Sequence, residues 1–246
     1  MKPVTDAAPH FTRPTTDCWQ ALLPGSDERT TQGPPFQYTY PAPLPNGQVL
    51  ELPIRAIPGT DRAVASLIAN HASFSVIETL VSLMAPMAAA EKPDCIVGLP
   101  TLGLAFAPNV AERLGHQNFA PLGYSKKFWY SADLSVPVQS ITSPGGNKSL
   151  YIDPNIVPRI SGKRVILVDD AISSGTTAVA AFALLGQLDC KICGFVCAMR
   201  QGVTWREKLN AIGPDYASLV KSPLAGPIFE KVDDGWVPLP GTLDRA

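Results

Sequence analysis

The chain has no run of about 18 uninterrupted apolar residues, the length a helix needs to cross a bilayer. Met1 to Phe11 contains Pro3, Asp6 and Pro9 and no apolar leader, so the expectation is a soluble, cytoplasmic protein. Net charge is also lacking: 20 Lys and Arg against 21 Asp and Glu leave −1. No basic field therefore proposes a nucleic acid or an anionic membrane as partner. Histidine is scarce, and His10, His71 and His116 are not arranged as a metal set. Five cysteines, an odd number without a leader, suit reduced thiols. Cys190, Cys193 and Cys197 lack a partner pair, and Ile192 to Ala198 reads better as a buried strand than as part of a metal site. Cys18 and Cys95 read as small core hydrophobes.

Proline is abundant instead, with 25 residues in 246, about twice its usual share. Residues 1–48 hold nine of them, with Gly25, Gly33 and Gly47, and show no sustained period. They read as an extended N-terminal arm that Trp19, Leu22 and Leu23 pin to the body, with Phe36, Tyr38 and Tyr40 alternating as in an edge strand.

The informative stretch is Val165 to Thr177, V-I-L-V-D-D-A-I-S-S-G-T-T. Four apolar residues, Val165 to Val168, suit a strand buried on both faces of a parallel sheet. Asp169 and Asp170 stand at its carboxyl end, Ala171 and Ile172 follow, and Ser173, Ser174, Gly175, Thr176 and Thr177 make a small, hydroxyl-rich turn. A helix is expected from about Thr176, and its free first-turn N–H groups make an anion site that suits phosphate. Two carboxylates repel a bare phosphate but accept hydrogen bonds from a diol. Phosphate at one end and diol at the other describe a ribose 5-phosphate. The plain alternative is a buried strand ending in a cluster of helix-capping residues.

Val-Asp-Asp-Ala-Ile-Ser-Ser-Gly-Thr-Thr resembles the phosphoribosyl pyrophosphate (PRPP) signature of type I phosphoribosyltransferases. The resemblance implies that Asp169 and Asp170 hold the ribose hydroxyls, contacting magnesium only indirectly, and that Ala171 to Thr177 wrap the 5-phosphate. A response-regulator receiver also has an acidic pair after a strand, but near the start of its domain, and too little chain follows Asp170 here. A second strand, Cys95 to Leu99, leads into Pro100, Thr101, Leu102 and Gly103 and then a helix ending near Gly115. In the resembled family this loop binds pyrophosphate through backbone amides, often across an unusual peptide. Purine enzymes commonly carry Arg or Lys where Leu102 stands.

The polar stretch Gly123 to Asn147 is too long for an ordinary connection. The resemblance places a closing catalytic loop here and implies that Lys126 and Lys127 neutralise the leaving pyrophosphate. Val64 to Phe74 is distantly similar to the start of adenine phosphoribosyltransferases, which makes Ser66 and Leu67 candidates for covering the base, with Trp236 a candidate to stack on it. A helix after Phe74 is expected to start on a Ser75–Glu78 capping box, and Tyr216 to Val220 to form a strand.

These readings combine into an α/β fold, a mainly parallel sheet of about five strands with helices on both faces. Residues 1–48 form the arm, 49–221 the phosphoribosyltransferase-like domain and 222–246 a tail forming a hood. The implied activity is transfer of the 5-phosphoribosyl group from magnesium-bound PRPP to a nitrogenous base, a purine by preference, in nucleotide salvage. The alternative is a non-catalytic PRPP- or nucleotide-binding regulator. The expected partners are PRPP and a small base, with a homodimer compatible with the reading.

Overall fold

Residues 10–138 and 148–244 are described in this computed structural model. The chain opens with β1 (Leu23–Pro24), β2 (Thr39–Pro43), β3 (Gln48–Ala56) and β4 (Arg62–Ala65), followed by α1 (Phe74–Ala89). Next come β5 (Cys95–Gly98), α2 (Ala107–Arg113), β6 (Ala120–Gly123), β7 (Ser135–Pro137), β8 (Ser149–Ile152) and α3 (Val157–Ile160). The central unit is β9 (Arg164–Ile172), α4 (Thr176–Gly186), β10 (Lys191–Gln201) and α5 (Thr204–Ile212). Four short strands close the chain: β11 (Val220–Lys221), β12 (Leu224–Gly226), β13 (Ile228–Val232) and β14 (Gly235–Pro238).

One sheet runs β11-β10-β9-β5-β6-β8-β7, with β12 also on β10. Every pairing from β11 and β12 through to β6 is parallel, and β6–β8 and β8–β7 are antiparallel. The sheet is thus mainly parallel, as expected, but larger and edged by an antiparallel pair. Side chains alternate between two cores, as the period of two requires. Ile96, Ile166, Val168, Val196 and Ala198 face α1 and α2. Val97, Val165, Leu167, Phe195 and Cys197 face α4 and α5 on the other side. A bulge between Ile192 and Gly194 breaks the alternation on β10, so Cys193 and Cys197 lie on opposite faces of the buried strand that their surroundings predicted.

The second sheet, β1-β3-β4-β13-β14 with β2 on β3, is antiparallel. It joins the first part of the chain to the last: Ile228 pairs with Val64 and Phe229 with Ala63. The proline-rich stretch from Leu23 to Pro43 is built into it through β1 and β2. Trp19, Leu23, Tyr40, Ala42 and Leu44 are buried, the Trp19 indole donates to Ser66 O at 2.9 Å, and Phe36 bridges to Trp236.

Three local readings are corrected. Helix α1 is capped two residues early: Ser73 Oγ accepts from Val76 N–H at 3.3 Å, so Ser75 lies inside the helix and Glu78 turns to Arg113 of α2. Tyr216–Leu219 is a 3-10 turn rather than a strand, because Asp215 is left-handed (φ 68°) and Ser218 closes back on Asp215 O. The stretch after Gly123 is not all loop, since β7 pairs β8 antiparallel, Val136 opposite Leu150. Residues 139–147 of that stretch lie outside the described residues. No helix among the described residues is long and apolar enough to cross a membrane.

Candidate active site at the strand ends

Asp169 is 6% exposed and Asp170 half-buried at the carboxyl end of β9. Asp169 Oδ1 accepts the Asp170 N–H at 2.9 Å. Among the described residues neither carboxylate has an ion-pair partner. Burial, and then the Asp170 charge beside it, pushes the Asp169 carboxyl well above the ordinary carboxylate range, and burial raises Asp170 too. Two uncompensated carboxylates at the mouth of a sheet are costly unless something donates to them, which hydroxyls or a hydrated cation can do.

After the pair the chain turns through Ser173, Ser174 and Gly175 into α4. Gly175 has φ 75°, a conformation costly for other residues, and a Cβ there would meet Trp205 at 3.2–3.3 Å. Ser174 Oγ and Thr176 Oγ1 are 3.0 Å apart, and Thr176 N–H reaches Ser174 Oγ at 3.4 Å. Asp169 and Ala171 to Ala178 line a hollow of about 160 Å³. Its walls are hydroxyls and the opening of an 11-residue helix, where unpaired N–H groups and the dipole both favour an anion. A larger hollow, about 560 Å³, lies between the ends of α1 and α2 beside Lys92 and Pro93. It sits at the amino end of β5, away from the acid pair.

The loop Pro100–Gly103 follows β5, the strand next to β9. The peptide between Pro100 and Thr101 is cis. Gly103 is pressed onto β9: a Cβ there would fall 2.7 Å from Asp169 Cα and 2.8 Å from both Asp169 Oδ1 and Val168 O. Gly103→Ala is therefore expected to cost about 1–3 kcal/mol of stability, the usual range for overpacking, and to displace the acid pair. Thermal unfolding of the variant checks this, and an unchanged Tm would mean the loop gives way freely. Leu102 is half-buried and packs on the core under α1 and α2.

The remaining predicted residues are not gathered here by direct contact. Lys126 and Lys127 are exposed in the segment after β6, beside exposed Phe128 and a Trp129 whose indole donates to Asp153 at 3.0 Å. Leu67 is 5% exposed in the core, and Ser66 is engaged with Pro53 O and Arg55. Trp236 is 1% exposed, enclosed by His10 and Phe36, and presents no open face for a base. Sequence reasoning missed α5. Thr204 Oγ1 donates to Ser173 O at 3.2 Å and Lys208 Nζ to Thr176 Oγ1 at 2.9 Å. Their spacing of four, which puts both on one helix face, was the available signal.

Residues 64–212 match the phosphoribosyl transferase domain family. The chain is 33% identical over 105 residues to adenine phosphoribosyltransferase from a Picosynechococcus species, covering 43% of this chain and 57% of that protein. It is 30% identical over 178 residues to the adenine phosphoribosyltransferase of Bifidobacterium adolescentis, covering 69% and 86%. It thus spans little more than half of the first relative's length and most of the second's. The solved adenine phosphoribosyltransferase of Leishmania donovani shares the fold, with TM-score 0.52 and 20% identity over 70% of this chain and 72% of that one. With a match that takes in more than half of its length, the chain belongs to the phosphoribosyl transferase domain family, that of the type I phosphoribosyltransferases.

Proposed function

We propose that the protein transfers the 5-phosphoribosyl group of PRPP to a ring nitrogen of a purine, adenine first among the candidates, and releases pyrophosphate. The observation that carries this is the uncompensated pair Asp169–Asp170, set between the loop at Gly103 and the hydroxyl-lined opening of α4. In this reading the pair accepts the ribose hydroxyls and favours the positive charge that grows on the sugar as the glycosidic bond breaks, a transition state of oxocarbenium character. Ser173 to Thr177 hold the 5-phosphate, and the amides of Pro100–Gly103 face the pyrophosphate.

The oxygen donor set fits magnesium that arrives with substrate. No group of three or more His, Cys, Asp or Glu that would cage a metal occurs among the described residues, whereas magnesium typically uses one or two carboxylates plus phosphate oxygens and water. When bound with PRPP, magnesium would neutralise charge on the pyrophosphate. Asp169 and Asp170 would hold it only through ribose hydroxyls or water.

Lys126 and Lys127 stand exposed in the segment that would close over the site, free to meet pyrophosphate charge when water is excluded. Replacing both by Ala is expected to lower kcat roughly 100-fold, the scale for losing one charge-stabilising donor, with PRPP affinity changed far less. Steady-state kinetics beside calorimetry separate the two, and an unaltered kcat removes these lysines from the reaction.

The second reading, a PRPP- or nucleotide-binding regulator, draws on Leu102, an apolar side chain on the core where a cation would serve pyrophosphate. The deciding experiment is calorimetric titration with PRPP and magnesium, followed by pyrophosphate release with a panel of purines and pyrimidines. Release with one base names the acceptor. Binding without release from any base supports the regulator, and absence of binding defeats both.

A further inference from the structure

We infer that Lys208, on α5, is a positioning residue for the 5-phosphate and makes the Ser174–Thr176 hydroxyl pair a net donor toward it. The inference rests on the phosphoribosyl reading above and adds a residue from outside the signature loop.

An ammonium can only donate, so Thr176 Oγ1 must accept the 2.9 Å hydrogen bond from Lys208 Nζ. Ser174 Oγ, for its part, accepts the Thr176 N–H at 3.4 Å. Each hydroxyl of the pair is thus fed by a donor from outside the pair. The 3.0 Å link between the two oxygens consumes one of the two O–H groups, whichever side supplies it. The other O–H is left over. Both residues line the hollow at the opening of α4, so the surplus proton is available to an acceptor there, and an anion with several lone pairs is the natural one.

Charge points the same way. Lys208 is half-buried, and among the described residues no carboxylate lies within ion-pair distance of it. Its charge is therefore spent on the loop, one hydroxyl away from the anion position. Thr204, four residues earlier on the same face, fixes α5 to the loop by donating to Ser173 O. The ammonium thus comes from a second element docked against the first.

The test uses the full chain and ribose 5-phosphate as probe, with PRPP and magnesium in parallel. Lys208→Met keeps the length of the side chain and removes the charge. It is expected to weaken ribose 5-phosphate binding about tenfold or more, the scale of a lost hydrogen bond to a charged group, with Tm unchanged. Lys208→Arg should restore most of the affinity. Ser174→Ala should lose a similar factor, and adding it to Lys208→Met should cost little more, because the two act through one chain of hydrogen bonds. Wild-type affinity in Lys208→Met, no rescue by Arg, or fully additive losses would overturn the role of Lys208 while leaving the phosphoribosyl reading intact. A wild-type protein that binds neither PRPP nor ribose 5-phosphate would overturn that reading, and this inference with it.

Discussion

Replacing Asp169 and Asp170 together by Asn is expected to raise the Kd for PRPP at least about 100-fold while making the unliganded protein more stable. The first effect follows from losing two charged acceptors, each worth roughly 1.5–3 kcal/mol to a hydroxyl donor, where about 2.7 kcal/mol is 100-fold. The second follows from the raised carboxyls. Burial, then the neighbouring charge, makes the folded Asp169 hold its proton more tightly than the unfolded chain does. A group of this kind contributes stability that is fully present below the unfolded value of about 4 and is lost as the pH rises through its higher folded value. Above the unfolded value the wild-type protein therefore bears the cost of its buried acid pair, whether as charge or as a proton held against the solution pH. The amides do not, and Asn at 169 keeps the oxygen that accepts the 170 N–H. Relief of even roughly 1 kcal/mol would raise Tm by about 2–4 °C in a chain of this size. That advantage should shrink as the buffer is brought down toward pH 4. Wild-type PRPP affinity should fall over the same interval, at a higher pH than an ordinary carboxylate would impose. Calorimetry and thermal melts across pH 4–8 check both halves. Unchanged PRPP affinity in the double variant would end the ribose assignment, and a lower Tm would mean that hydrogen bonds to the ionised pair outweigh their repulsion.

What the sequence disclosed is what neighbouring residues encode together. Val165 to Thr177 specifies a buried strand, a turn of small residues and a helix start with no help from elsewhere, and the structure forms β9 and α4 at those places. Cys95 to Gly115 is the same unit again, with Gly115 left-handed at the end of α2. The second sheet was far less legible, because its pairings join Val64 to Ile228 and Leu23 to Val49, and no local period marks a partner so distant. The edge strand read from Phe36, Tyr38 and Tyr40 forms as β2, but over Thr39–Pro43, its second half masked by proline. Pro41 and Pro43 break the expected strand composition, yet an edge strand tolerates them where no ladder hydrogen bond is needed. Trp236 shows the limit of residue type as a signal. Its position in an aromatic, proline-rich tail suited a stacking surface, but Phe36 bridges to it and His10 meets its ring edge-on at 5.1 Å, leaving it buried. The contacts of Thr204 and Lys208 with the turn at Ser173 to Thr176 span 31 and 32 residues, so they emerge only once α5 is docked.

The largest stability effect is expected at the other end of the chain, at Asp244. Its carboxylate is buried between two arginines: Arg200 Nη1 donates to Oδ2 at 3.2 Å, while Arg206 donates from Nη2 to Oδ1 at 2.6 Å and from Nε to Oδ2 at 3.2 Å. The Arg200 side chain is 8% exposed and that of Asp244 6%, so neither charge is well hydrated. Arg206 is 37% exposed and stacks on Trp205, its guanidinium 4.9 Å from the ring centroid. Asp244→Ala takes the carboxylate away from the buried Arg200 guanidinium, and loss of one partner from a buried pair typically costs about 3–5 kcal/mol. Tm should fall by roughly 6 °C or more. Removing charge from both sides, as Asp244→Leu with Arg200→Met, should restore much of that loss, because replacing a buried pair by apolar side chains of similar volume is often neutral, whereas removing one partner is not. Arg206→Met should cost less than Asp244→Ala, since water already reaches that guanidinium. The clasp has a consequence for the site as well. Arg200 lies near the carboxyl end of β10 and Arg206 on α5, so Asp244 ties the strand beside Asp169 to the helix that carries Thr204 and Lys208. Asp244→Ala is therefore expected to weaken ribose 5-phosphate binding a few-fold even below its Tm, and the compensated double variant to recover the stability before the affinity. Melts and calorimetry on the same three proteins separate the two effects, and full recovery of both would show that the clasp stabilises the fold without positioning α5.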